Sequence, residues 1–160
     1  MRVKPFLKWA GGKTQLLPQL SKAFPEHLGQ YDTFVEPFVG GGTVLFYILS
    51  RYPSIKNVVI NDINSKLVKT YVVVKEKPQE LISSLEELQQ RYWEMDYKRQ
   101  KLFYLDKRER FNTEKLSDIE FASLFIFLNK TCFNGLYREN KKGGFNVPFG
   151  KYKKPTICNS

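Results

Sequence analysis

Short apolar runs alternate with amphipathic ones along the first half of the chain, the pattern of strands interleaved with helices. Thr33-Phe34-Val35 reads as a buried strand that breaks at Pro37 and turns through Gly40-Gly41-Gly42 into a helix beginning near Thr43. In that helix Leu45, Ile48, Leu49 and Tyr52 fall on one face, and Pro53 stops it. Val58-Val59-Ile60 predicts a second strand, ending at Asn61-Asp62. Asn64 is placed to cap the next helix, which carries Leu67, Tyr71 and Val74 and ends before Pro78. Ahead of all this, Thr14 reads as the N-cap of a helix through Leu16, Leu17, Leu20 and Phe24, with Pro18 in its first turn.

From Pro78 to Asp118 the pattern is helical and heavily charged. Leu81, Ile82, Leu85 and Leu88 make a narrow stripe among Glu86, Glu87, Arg91, Glu94, Lys98 and Arg99, as expected of surface helices covering a core. Ser117-Asp118-Ile119-Glu120 is a capping box that opens a strongly apolar helix through Phe121, Leu124, Phe125, Phe127 and Leu128. Beyond it, two segments flank Lys141-Lys142-Gly143-Gly144, which predicts a long hairpin with a basic tip.

Composition narrows the class. The 160 residues suffice for a sizeable core, and a net charge of +10 favours a polyanionic partner. The charge is uneven: seven basic residues lie between Lys130 and Lys154 against one acid, Glu139. Aromatic and amide side chains (Phe133, Asn134, Tyr137, Asn140, Asn146, Tyr152) are interleaved with them, which suits DNA: cations neutralise phosphates, arginine reads guanine, and an aromatic wedges into the stack. Two cysteines give neither a disulfide framework nor metal-ligand spacing, and fit a reducing cytoplasm. The start Met1-Arg2-Val3-Lys4-Pro5 lacks the apolar core of a secretion signal, and no run approaches a membrane span.

The glycine turn after the first strand, with an acid ending the second, is the arrangement of a nucleotide pocket, in which Asp62 would accept from ribose hydroxyls. A plain strand-turn-helix packing junction has the same pattern. Phe38-x-Gly40-x-Gly42 lacks the third glycine of nicotinamide enzymes. Gly12-Lys13-Thr14 is not a P-loop, because Leu7 stands where the first glycine must be. Trp9 and Lys13 share one glycine turn, a flat face to stack on a purine beside a cation to meet a carboxylate, or else a core tryptophan with a surface lysine.

Four stretches in order resemble a known family. Phe6-Leu7-Lys8-Trp9-Ala10-Gly11-Gly12-Lys13, Val35-Glu36-Pro37-Phe38-Val39-Gly40-Gly41-Gly42, Asn61-Asp62-Ile63-Asn64, and Phe133-Asn134-Gly135-Leu136-Tyr137-Arg138 followed by Gly144 to Gly150 are similar to the Dam-type (D12 class) adenine-specific DNA methyltransferases. The resemblance implies an α/β, Rossmann-like methyltransferase fold, here with an incomplete sheet, and a helical and β-hairpin DNA-recognition region. It divides the chain into a cofactor portion (1–77), a recognition portion (78–154) and the start of a catalytic half (155–160). It further implies S-adenosylmethionine as cofactor, adenine in duplex DNA, commonly in GATC, as substrate, and in some settings a cognate restriction endonuclease.

By the same resemblance Trp9, Lys13 and Asp62 hold the cofactor, and Phe38, Gly40 and Gly42 shape its pocket. Lys8 faces DNA. Arg138 reads a guanine, Leu136 and Pro148 touch bases, Asn134 fills the space of the displaced adenine, and Tyr152 and Lys153 support base and backbone. Phe133 stands where a family member uses tyrosine to wedge into the duplex. No Asp/Asn-Pro-Pro-Tyr/Phe run, which would hold the adenine amine, is present; Asn146-Val147-Pro148-Phe149 lacks the first proline. The expectation is therefore the N-terminal portion of an adenine-specific DNA methyltransferase, an enzyme by family whose catalytic residues lie outside these 160, with no metal site. The alternatives are a non-catalytic DNA-binding module or one half of a split enzyme, with a nucleotide-dependent oxidoreductase third.

Overall fold

The structure, a computed structural model, describes residues 4–159. The described residues form two compact units that divide between Ser65 and Lys66.

The first unit is a βαβ arrangement preceded by a short helix. Helix α1 spans Leu17–Ala23, strand β1 Thr33–Glu36, helix α2 Thr43–Arg51 and strand β2 Asn57–Ile60. The strands pair in parallel, with Thr33 opposite Asn57 and Glu36 opposite Ile60. Parallel neighbours require a crossover, and α2 is that crossover. Leu45 and Ile48 are its buried face, while Leu49, expected in the stripe, is exposed. Thr14 is not the cap of α1: the chain runs through turns to Leu16, and the helix begins at Leu17 with a proline in its first turn and no side-chain cap. Its hydroxyl lies instead 3.3 Å from that of Thr43.

The strands were expected to be buried, and in large part they are not. Val35 and Val59, side by side in register, are 59 % and 55 % exposed. Among the described residues the sheet has two strands, and the face that carries these two valines is open to solvent.

The second unit is helical. Helix α3 spans Ser65–Glu76, its last eleven residues belonging here, followed by α4 (Pro78–Trp93), α5 (Tyr97–Thr113) and α6 (Asp118–Thr131). The Ser117–Glu120 capping box is formed, and α6 is buried from Ala122 to Asn129 between α4 and α5. Helix α5 buries Gln100, Phe103, Tyr104, Lys107 and Phe111, a mixed face that its sequence does not advertise. The ammonium of Lys107 escapes desolvation by pairing with Asp106 at 2.9 Å and lying 4.7 Å above the Phe103 ring.

After α6 the chain turns through Phe133–Gly135 and returns on itself. The pairing is antiparallel, as expected of a hairpin, but reduces to two isolated bridges, Cys132 with Phe149 and Glu139 with Phe145. Regular strands do not form because side chains of α5 take the hydrogen bonds a second strand would make. Asn112 brackets Phe145 at its N–H (2.8 Å) and carbonyl (3.0 Å), and the Val147 carbonyl accepts from Tyr104 (2.7 Å) and Arg108 (3.2 Å). The following extended segment is held the same way: Tyr92 donates to the Tyr152 carbonyl, Gln100 to that of Lys153 and Trp93 to that of Pro155, while Gln89 accepts from the amides of Ile157 and Cys158.

Candidate functional site

In the first unit the glycine turn between β1 and α2 is shaped by a left-handed backbone and by close contacts that leave a side chain little room. Gly40 has φ +50° and Gly42, the N-cap of α2, has φ +80°. A Cβ on Gly40 would stand 3.2 Å from Trp9 Cδ1, and one on Gly41 3.2 Å from Trp9 Cβ. The Trp9 side chain thus lies against bare backbone. Asp62 closes the turn from the other strand, its Oδ2 accepting from Gly40 N–H at 2.9 Å and its Oδ1 from Asn64 N–H at 3.0 Å. Val39 N–H donates to the Asn61 carbonyl at 2.9 Å, so the two chains leaving the C-terminal end of the parallel pair are locked together beside the turn.

A cavity of about 190 Å³ opens here. Its lining includes Trp9, Lys13, Phe38, Gly40 and Asp62, drawn from three separate stretches of sequence. Gly42, expected with them, lies just outside the lining and acts on the backbone path. Phe38 is 75 % exposed and stands at the mouth. Lys8 lies outside this cavity and lines a larger one of about 710 Å³, which shares Trp9, Gly12, Gly41 and Thr43 with the smaller. The tryptophan therefore borders two adjoining hollows.

Two residues of this unit carry signals that spacing did not reveal. Glu36, 7 % exposed at the end of β1, has an Oε2 without a hydrogen-bond partner. Burial pushes its carboxyl above the ordinary range, opposed in part by the Lys13 ammonium 3.8 Å from Oε1 and by the Leu45 backbone. Lys13 also donates to the Phe38 carbonyl at 3.3 Å, so the cation stands between a buried acid and the cavity. Thr43, at the start of α2, lines both hollows.

The donor set fits a nucleoside bearing an amino-acid tail: an indole face, a carboxylate with lone pairs to spare, a cation, and glycines that let a ligand approach the backbone. At about 190 Å³ the smaller hollow encloses only part of such a molecule, since pockets for ligands of that size run to ~300 Å³ or more. A group lying across Phe38, or reaching past Trp9 into the adjoining hollow, meets the size requirement.

In the second unit Phe133, Asn134, Leu136, Arg138, Pro148 and Lys153 are all exposed, and Tyr152 is half-buried. Phe133 and Pro148 are joined by a backbone hydrogen bond of 2.8 Å, which sets the wedge candidate beside a base-contact candidate. Asn134 adopts φ +54°, and Gly135 beneath it is fixed by Asn129, whose amide donates to the Gly135 carbonyl at 3.2 Å. Gly150 admits no side chain, because a Cβ would fall 2.4 Å from the Cys132 carbonyl oxygen. Glu139 is neutralised by Lys66 at 2.7 Å and also accepts from the Tyr137 hydroxyl. Burial works against its charge, but those partners prevail and hold its carboxyl below the ordinary range.

The first unit is thus a parallel βαβ arrangement with a bare glycine turn and an acid just past its second strand, and the second carries a basic, aromatic hairpin. The family follows from comparison of sequences. Residues 9–160 match the profile of the D12 class N6 adenine-specific DNA methyltransferases, and the chain belongs to that family. It is 50 % identical to a Type II methyltransferase, M.MjaIII, of Methanocaldococcus jannaschii over 98 % of this chain and 55 % of that protein. A Type II methyltransferase of Lactococcus lactis, M1.LlaDCHI, is 39 % identical over 98 % of this chain and 51 % of its own. A DNA adenine methylase of Vibrio cholerae is 42 % identical over 95 % of this chain and 50 % of its own. The chain spans about half the length of the curated relatives it matches.

Proposed function

We propose that this chain supplies the S-adenosylmethionine pocket and the target-reading hairpin of an adenine-specific DNA methyltransferase acting on duplex DNA at GATC. The observation that carries the reading is the convergence of Trp9, Lys13, Phe38, Gly40 and Asp62 on one cavity. In this reading Trp9 stacks on the purine, Asp62 accepts from the ribose hydroxyls with the lone pairs its backbone bonds leave over, and Lys13 meets the methionine carboxylate. When bound, S-adenosylmethionine supplies the methyl group. Arg138 reads guanine, Leu136 and Pro148 make apolar base contacts, Phe133 wedges into the duplex and Asn134 fills the vacated space, with Lys8, Tyr152 and Lys153 along the strand. The setting proposed is the cytoplasm, on duplex DNA, beside a cognate restriction endonuclease or alone.

No Pro-Pro-aromatic run stands among the 160 residues, and from this we infer that the chain by itself does not turn over. The same absence favours the second reading, a DNA-binding module or one part of a split enzyme. Calorimetry with S-adenosylmethionine and titration of a GATC duplex at several salt concentrations test the proposal. Expected are a saturable cofactor signal lost on Lys13→Ala, and an affinity for DNA that falls steeply with salt as counterions are released. Salt-insensitive DNA binding, or no cofactor signal, refutes it. Methyl incorporation by the purified chain alone would refute the claim of incompleteness.

A further inference from the structure

The exposed guanidinium of Arg138 is not free to choose its orientation. Its Nε–H donates to Asn146 Oδ1 at 2.8 Å, and its Nη2 donates to the Asn146 carbonyl at 3.2 Å. Those two donors form one edge of the planar fork. Three of the five N–H groups remain, and the pair at the tip, one on Nη1 and one on Nη2, has the spacing of the O6 and N7 acceptors of guanine.

Asn146 can impose this because it is itself immobilised. Its N–H donates to the Arg138 carbonyl at 3.1 Å, and its neighbours Phe145 and Val147 are buried and pinned to α5 by Asn112, Tyr104 and Arg108. A neutral amide holds the guanidinium without cancelling its charge, which an aspartate would do. The adjacent carboxylate, Glu139, is occupied by Lys66 and Tyr137.

We infer that Asn146 is a positioning residue for base recognition: it occupies the side edge of Arg138 and presents the tip of the guanidinium to guanine. The inference rests on the guanine-reading role proposed for Arg138. It goes further in assigning specificity to a residue that need not touch the base, and in fixing which edge of the arginine reads.

The test compares binding of the full chain to a GATC duplex and to the same duplex carrying 7-deazaguanine, which lacks the N7 acceptor. The unmodified protein should lose about tenfold in affinity with the modified base, the scale of the one charge-assisted hydrogen bond to N7 that is removed while that to O6 stays. Arg138→Ala should show no such loss, and Asn146→Ala should show little. In the double variant the Asn146 substitution should add nothing, since it acts through Arg138. Asn146→Asp keeps both acceptors and should retain the tenfold preference while overall affinity falls. This arm separates positioning from failure to fold. Exchange of the Arg138 Nε proton, followed by NMR without DNA, should speed up in Asn146→Ala. Full discrimination by Asn146→Ala, an equal effect of that substitution with and without Arg138, or an unchanged Nε exchange rate overturns the inference. Discrimination that survives Arg138→Ala instead overturns the guanine-reading role, and the inference falls with it.

Discussion

Asp62 reaches back across 22 residues of chain to take the Gly40 N–H at 2.9 Å, so the acid just past the second strand also builds the turn that follows the first. With Asn64 on its other oxygen, the carboxylate is structural before it meets any ligand.

Replacing Asp62 should accordingly show in stability as well as in binding. Asp62→Ala removes two charge-assisted acceptors, each worth ~1.5–3 kcal/mol where partly buried. The expected loss is about 3 kcal/mol or more in urea unfolding, with cofactor binding abolished in calorimetry. Asp62→Asn keeps an acceptor and should fall between. An Asp62→Ala chain as stable as the parent would mean that the turn holds without its clasp.

Gly40→Ala should disturb Trp9. The substitution combines a left-handed backbone, which costs an L-residue ~1–2 kcal/mol, with a Cβ 3.2 Å from the indole. In a Trp93→Phe background, where Trp9 is the sole fluorophore of its kind, the emission maximum should shift and unfolding should move to lower denaturant. An unchanged spectrum would place the indole elsewhere.

Glu36 gives the first unit a pH-dependent weakness. Its carboxyl is raised in the folded chain, so folding favours the protonated acid. Stability from this group is complete below the ordinary glutamate range and is lost as pH climbs through the raised value. Glu36→Gln removes the buried charge. Its stability relative to the parent should be flat in acid and should rise toward neutral pH, as read from urea midpoints between pH 4 and 7. A difference independent of pH would exclude this cause.

Asn112 is the main strut of the hairpin, with one side chain satisfying both backbone groups of Phe145. Asn112→Ala should cost about 1–2 kcal/mol, the penalty for leaving such groups without partners. It should also accelerate amide exchange at Phe145 more than at residues within α6. Uniform acceleration would point to global loosening instead.

Much of this was legible in the sequence, for reasons that can be named. The two strands, the glycine turn and the Ser117 capping box are local signals, and the structure forms each of them, with β1 running on to Glu36 and β2 stopping at Ile60 before the expected Asn61-Asp62. Thr14 was misread because a cap residue before an apolar run looks alike whether the helix starts at once or two residues later. Helix α5 hid its buried face because Gln100 and Lys107 point inward, satisfied by carbonyls in one case and by Asp106 and a ring in the other. The hairpin's lack of regular strands was unreadable because its hydrogen bonds go to Asn112, Tyr104 and Arg108, more than thirty residues away. The burial of Glu36 depends on what surrounds it in three dimensions, and no spacing rule expresses that.

The outward-facing valines of the two-stranded sheet carry a practical consequence. Val35 and Val59 form a sticky stripe beside backbone groups able to template another strand. In the test tube, crowding of the chain with itself, ahead of heat, should limit how far it can be concentrated. A lysine grafted at either valine should raise that ceiling while leaving the glycine corner untouched.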